Sequence, residues 1–492
     1  ARALESCAKY SVSSPGIGHA MHMPGHIYSK VGMWHEAAIS MDSATRIELK
    51  YMNDRLALPY ETWNYPHNRN YLCYIQEQLG MVKMATQGAR DMLAAPRDPA
   101  YNPGMDGPIS GQGQGALVRA LIKFEKWEEI MTPGAVEWGN GFFSKYMRPF
   151  AEAHALIGLG KIGEAADRLK ELKKIEKSGM ADASMIKVIE ALIGLNEGRT
   201  STALKQLQDA AEAEEKARKS YMVANDPPFN PWPISFVLGE VHRKRGEHDL
   251  AVLAYSKSLA QEPNDAFSLS GLALSHHALG NIARAKYYAG RLEYVWSKAD
   301  PGLKWLEDVR KLKLDVEPIG ETPSKERVYD PKSLDAIGTT NWRPFAAPAL
   351  NVRDEDGKPV TLKDYAGKNV LLVYFLGEAC VHCVGQLKSI HDKIADFEAQ
   401  DTVVLGFCSA SPESLKASTA LDGVRITFLA DNAHENARRF SSYDDFEEME
   451  LHSTILIDKQ GNIRWKRTGG DPFMNMNFLL NELKRINALT KS

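Results

Sequence analysis

A glycine followed five residues later by an alanine recurs six times in the first three hundred residues: Gly32 and Ala37, Gly80 and Ala85, Gly160 and Ala165, Gly198 and Ala203, Gly246 and Ala251, Gly280 and Ala285. The last two copies are 34 residues apart, from Gly246 to Gly280. The text around them has helical rather than strand periodicity. Glycine permits a tight turn and a small alanine lets a second helix approach the first, so each copy predicts a helix hairpin. FEKWEEI, residues 124–130, is a weaker seventh copy. Stacked hairpins also accommodate a chain of 492 residues, too long for one ordinary core.

The pattern resembles the tetratricopeptide repeat. In residues 231–263 it is carried by Leu238, Gly239, Gly246, Ala251, Tyr255 and Pro263, and in an earlier copy by Gly25, Tyr28, Gly32 and Ala37. The resemblance implies a helical solenoid of about seven hairpins over residues 1–312, with a concave groove suited to a protein partner. Residues 1–10 read as the second helix of a hairpin whose first helix is missing. The chain is therefore expected to continue upstream, where an export signal to a periplasmic or other extracytoplasmic space would lie.

From residue 313 the text becomes rich in proline, charge and turn residues, which predicts a linker over 313–342. Residues 343–492 then alternate β-branched runs with helical stretches, which predicts an α/β domain. Its expected elements are strands at VLLVYFL and TVVLGFCS, helices over 381–399 and near 431–440, a hairpin at STILIDKQGNIRWK and a last helix at FLLNELKRINAL. VLLVYFLG, 370–377, is the longest strongly apolar run, far below the roughly 20 residues that span a bilayer. A net charge of −3 gives no reason to expect a nucleic-acid partner.

Five cysteines are too few for a disulfide framework, and only Cys380 and Cys383 are spaced as a pair. With FAAPALNVRDEDGKPVTLKDYAGKNVLLVYF before it and ILIDKQGNIRW after it, GEACVHC resembles the redoxin branch of the thioredoxin superfamily, which includes alkyl hydroperoxide reductases. That resemblance implies an exposed nucleophile, Cys380, and a resolving thiol, Cys383, at a helix N-terminus that favours thiolate. His382 resembles the dipeptide of the oxidising periplasmic disulfide enzymes. The peroxiredoxin loop has a threonine three residues before its cysteine and a proline four before that. Counted from Cys383 these positions are Cys380 and Leu376, a departure that argues against peroxidase chemistry.

Thioredoxin-like proteins place a cis-proline just before the strand corresponding to STILID, where this chain has His452. A histidine there resembles the copper site of SCO-type chaperones and implies Cys380, Cys383 and His452 as ligands for copper, with zinc as the alternative. Otherwise His452 tunes the thiols.

GHAMHMPGH places His19, His22 and His26 at separations of three, four and seven, one face of a helix. The repeat register aims all three at the groove, and His67 of YPHN, on the next hairpin, is the expected fourth member of a metal site there, with Asn68, Asn70, Tyr65 and Tyr74 nearby. Met21 and Met23 point away from that face. Pro24 raises the alternative that the helix begins there and that His19 and His22 lie on an entering loop. HMPGHIY, with CVHC, DDFE and LHSTILID downstream, also resembles a group of large bacterial tetratricopeptide proteins with an HMPxHIY motif.

Together these readings predict a redox or metal-handling oxidoreductase that joins a CxxC redoxin domain to a histidine metal site in the groove, copper favoured, acting on a thiol or disulfide protein. Oligomerisation is left open. The alternatives are a binding scaffold with a tethered redoxin module, and a metalloenzyme whose active site is the histidine cluster.

Overall fold

In the computed structural model all six glycines of the repeated pair stand at positive φ, between 69° and 81°, and all six alanines are no more than 1% exposed. Each pair therefore turns the chain and closes a helix hairpin. The seventh copy lacks the glycine: Glu125 takes the same left-handed turn at φ 54°, and its second helix is only Trp127–Met131. The structure describes residues 2–176, 183–220, 227–321, 329, 332–338 and 340–489. Part of the expected linker, 322–328, 330, 331 and 339, lies outside the described residues.

The chain divides into two compact units. One comprises residues 1–50, 62–95 and 104–341; the other comprises 51–61, 96–103 and 342–492. Among its described residues, all regular elements of the first are helices. Two of its hairpins matter below: Gly18–Lys30 with Trp34–Arg55, and Asn64–Gln78 with Val82–Leu93. Pro24 does not start a helix, because Gly18–Lys30 runs through it. Helical spacing therefore holds along all of GHAMHMPGH. Met21 is packed in the core and Met23 is exposed, both off the histidine face. Gly25 lets the second helix come close: a Cβ there would lie 2.8 Å from Met41 Cε.

The second unit is a seven-stranded sheet between two apolar layers. Its strands are β1 (Val352–Asp354), β2 (Pro359–Val360), β3 (Asn369–Tyr374), β4 (Thr402–Cys408), β5 (Thr427–Ala430), β8 (His452–Ile457) and β9 (Ile463–Gly469), while β6 (Tyr443–Asp444) and β7 (Met449–Glu450) form a separate hairpin. The order is β2-β1-β5-β4-β3-β8-β9. β3, β4 and β5 are parallel, and β8 runs antiparallel to β3. Strand β3 is buried at every residue, as a central strand covered on both faces must be. Leu371 and Val373 face the layer formed by helices Val381–His391 and Met476–Leu489, while Val370, Leu372 and Tyr374 face the other layer.

The single helix expected over 381–399 is two, Val381–His391 and Ile394–Glu398. Lys393 leaves helical geometry at φ −110°, ψ 11°, and the break seats Ile394 and Phe397 in the same core as Ile390. The helix near 431–440 is shorter, Glu435–Arg439, and is capped by the Asp431 carboxylate, which accepts from the backbone N–H of Asn436 and Ala437. Strands β1, β2 and β5–β7 lack a sequence signal long enough to be read as strands.

Segments 51–61 and 96–103 belong to the second unit although they come from early in the chain. Leu56 and Leu58 join the apolar layer of β3. Tyr60 Oη donates to the Lys466 carbonyl at 2.9 Å. Fully buried Asp98 accepts from Trp465 Nε1 at 3.2 Å and Arg467 at 2.6 Å, both on β9. No helix among the described residues is long and apolar enough to cross a membrane.

Candidate functional site

Where β3 ends, the chain turns and Cys380 becomes the N-cap of helix Val381–His391. The backbone N–H of Cys383 points at Cys380 Sγ, 3.2 Å away. An amide at a helix N-terminus is placed to stabilise negative charge on that sulfur. Cys383 is fully buried and Cys380 only partly so. Leu376 N–H donates toward Cys383 Sγ at 3.4 Å. The two cysteines are joined as a disulfide.

His452 opens β8, the strand beside β3, and this adjacency carries it to the sulfurs. Its Nε2 lies 3.2 Å from Cys383 Sγ and 3.6 Å from Cys380 Sγ. Burial holds its pKa below the ordinary imidazole value, opposed by hydrogen bonds to the backbone at Gly470 and Gly469. A neutral ring whose proton is on Nδ1 presents the Nε2 lone pair to the sulfurs. Buried Gln386 ties the parts together, donating from Nε2 to Thr454 Oγ1 on β8 and to the Phe473 carbonyl, both at 2.9 Å. It fixes the cysteine helix against the histidine strand. Sequence reasoning missed Gln386, whose only signal is its place one turn after Cys383 on the same helix. The ligand atoms of Cys380, Cys383 and His452 all lie within 4.8 Å of one another.

A second convergence lies within the helical unit. His26 Nε2 is 3.1 Å from His22 Nε2 and 3.4 Å from His67 Nε2. His22 is the buried centre of the group, and its Nδ1 lies 2.7 Å from Oδ1 of fully buried Asn68. Its pKa is lowered to about 3, first by burial and then by the neighbouring imidazoles of His26 and His67. His19 stacks on His22 with ring centroids 5.0 Å apart but stands outside the three converging nitrogens. Tyr71 packs its ring on His26 and hydrogen-bonds Ser29. Of the polar residues expected nearby, Asn68 touches the histidines, while Asn70 faces Arg119.

Residues 345–466 match the AhpC/TSA family, and the C-terminal domain is a redoxin of that kind. The mycobacterial alkyl hydroperoxide reductase E (Mycobacterium tuberculosis) is 29% identical over 122 residues, 24% of this chain and 80% of that protein. Peroxiredoxin Bcp of Escherichia coli is 26% identical over 123 residues, 24% of this chain and 79% of its own length. Among solved structures, peroxiredoxin Q of Xanthomonas campestris is similar at 17% identity, with 28% of this chain and 90% of that chain covered and a TM-score of 0.26. The family match and the sequence relatives support thiol redox chemistry in the C-terminal domain.

Proposed function

We propose that the chain is a thiol–disulfide oxidoreductase in which Cys380 exchanges disulfides with a protein partner. The observation that carries this reading is the Cys383 amide on Cys380 Sγ with His452 Nε2 beside both sulfurs. In the reducing direction the Cys380 thiolate attacks a partner disulfide, forming a mixed disulfide and releasing one partner thiolate. His452 Nε2 then takes the proton of the Cys383 thiol. The resulting thiolate attacks Cys380 Sγ, the mixed disulfide breaks, and the second partner thiolate leaves. Two electrons pass to the partner and the Cys380–Cys383 disulfide remains. The oxidising direction reverses these steps. Peroxide reduction, suggested by the names of the relatives, is disfavoured because Cys380 and Leu376 stand where the peroxiredoxin loop has threonine and proline.

When the disulfide is reduced, two thiolates and an imidazole make a soft donor set that fits copper, with zinc second. The resemblance to SCO-type chaperones at His452 supports the same reading. We place a second metal at His22, His26 and His67, with His19 beside it, in what we read as the groove of a tetratricopeptide array. A cavity of about 560 Å³ further along the same two helices, lined by Trp34, Tyr71, Tyr74, Arg218, Phe229 and Glu262, favours a scaffold role in which a partner chain seats in that groove. A disulfide-bearing redox pair also suits export to an extracytoplasmic space.

Insulin reduction by dithiothreitol with the full chain tests the thiol reading. Turnover that is lost in Cys380→Ser supports it; a wild-type rate no higher than that of Cys380→Ser overturns it.

A further inference from the structure

Three imidazole nitrogens sit at metal-ligand spacing, a separation that N–H···N hydrogen bonds between imidazoles also reach. Two ligands at about 2.0–2.1 Å from a tetrahedral ion lie about 3.3–3.4 Å from each other, and His26 Nε2 lies 3.1 Å from His22 Nε2 and 3.4 Å from His67 Nε2. The set is also chemically poised. Asn68 Oδ1 can only accept a hydrogen bond, so His22 Nδ1 carries the proton and the Nε2 lone pair faces the other two rings. A buried partner on the far nitrogen of a histidine is the arrangement that orients a metal ligand.

We infer that these three imidazoles hold a divalent metal ion with one coordination position left open to an exchangeable small anion, and that Asn68 is the positioning residue for His22. The inference rests on the metal reading of this cluster given above. Three observations carry it. First, only three ligand atoms converge among the described histidines, cysteines and acids, and three protein ligands plus an exchangeable fourth is the pattern of reactive rather than structural zinc. Second, the burial is one-sided: His22 is 2% exposed, whereas His26 and His67 are partly exposed. The vacant corner of the tetrahedron therefore faces outward, where Trp63, 66% exposed, stands with its ring 5.9 Å from His67 and 6.0 Å from His19. Third, all three ligands are neutral, so the ion keeps its full double charge and attracts an anion.

The test uses the full chain in its oxidised form, so that the Cys380–Cys383 disulfide offers no thiolate, with cobalt(II) as the metal and azide as the anion. The expected result is one visible-absorbing cobalt that is lost in His22→Ala and whose bands shift on azide addition in both wild type and His19→Ala. Asn68→Ala should weaken cobalt binding about 10–100-fold, and Asn68→Asp, which still accepts from Nδ1, should restore it. No cobalt bound to wild type would overturn the metal reading itself. Cobalt bound but indifferent to azide, or lost in His19→Ala, would leave that reading standing and overturn the open position. Unchanged affinity in Asn68→Ala would remove its positioning role.

Discussion

His452 Nε2 lies 3.2 Å from Cys383 Sγ, closer than to the more exposed sulfur of the pair. A base placed on the resolving thiol rather than on the nucleophile divides the labour. In the proposed mechanism the helix N-terminus and the Cys383 amide favour the Cys380 thiolate, and the histidine takes the proton of Cys383. His452→Ala should therefore slow disulfide exchange about 10²-fold at pH 7. The deficit should shrink as pH rises through about 8.5, where a thiol ionises unaided. A pH-independent deficit in insulin reduction would show that His452 acts through packing alone.

Cys383→Ser removes the resolving step and leaves the first attack intact. Incubated with a partner disulfide, this variant should accumulate a mixed disulfide through Cys380, seen as a reducible band on a non-reducing gel. Cys380→Ser should give none. Multiple turnover by Cys383→Ser would refute the assigned roles.

Asp98 is a buried carboxylate that accepts from an indole and a guanidinium on β9. Asp98→Ala strands both donors and should destabilise the redoxin unit by about 2–4 kcal/mol. Chemical unfolding followed by Trp fluorescence reads this out. A change below about 0.5 kcal/mol would mean that water replaces the carboxylate at no cost.

Burial pushes the Asp265 carboxyl up to about 6, with the Glu262 charge adding to the shift. Its Oδ2 caps a helix at Ser268 N, while Oδ1 is buried without a hydrogen-bond partner among the described residues. A folded-state pKa above the unfolded value gives stability that is full below about pH 4 and is lost as pH rises through about 6. Asp265→Asn keeps the cap and removes the charge. It should gain up to about 3 kcal/mol over wild type at pH 8 and nothing at pH 4. Equal differences at the two pH values would exclude the linkage.

The hairpins were legible because one glycine and one alanine carry each turn locally, and the weakest copy is the one where Glu125 replaces the glycine. The cysteine pair and its histidine were legible because the strand–helix junction and the start of β8 leave short, recognisable text. The break at Lys393 was not, since no proline or glycine marks it and tertiary packing of Ile394 and Phe397 decides it. Nor was the role of Asp98 or Tyr60: their partners lie on β9, and local periodicity carries no information about contacts so distant in sequence.

That distance sets an order of events during synthesis. Asp98 leaves the ribosome 367 residues before Trp465, which at about 5–20 residues per second is a wait of roughly 20–70 s. The hairpins can stack as they emerge, but the two early segments must be held in reserve for a sheet that does not yet exist. The redox pair thus acquires His452 only once β8 has been made, and the two early segments their partners only once β9 has.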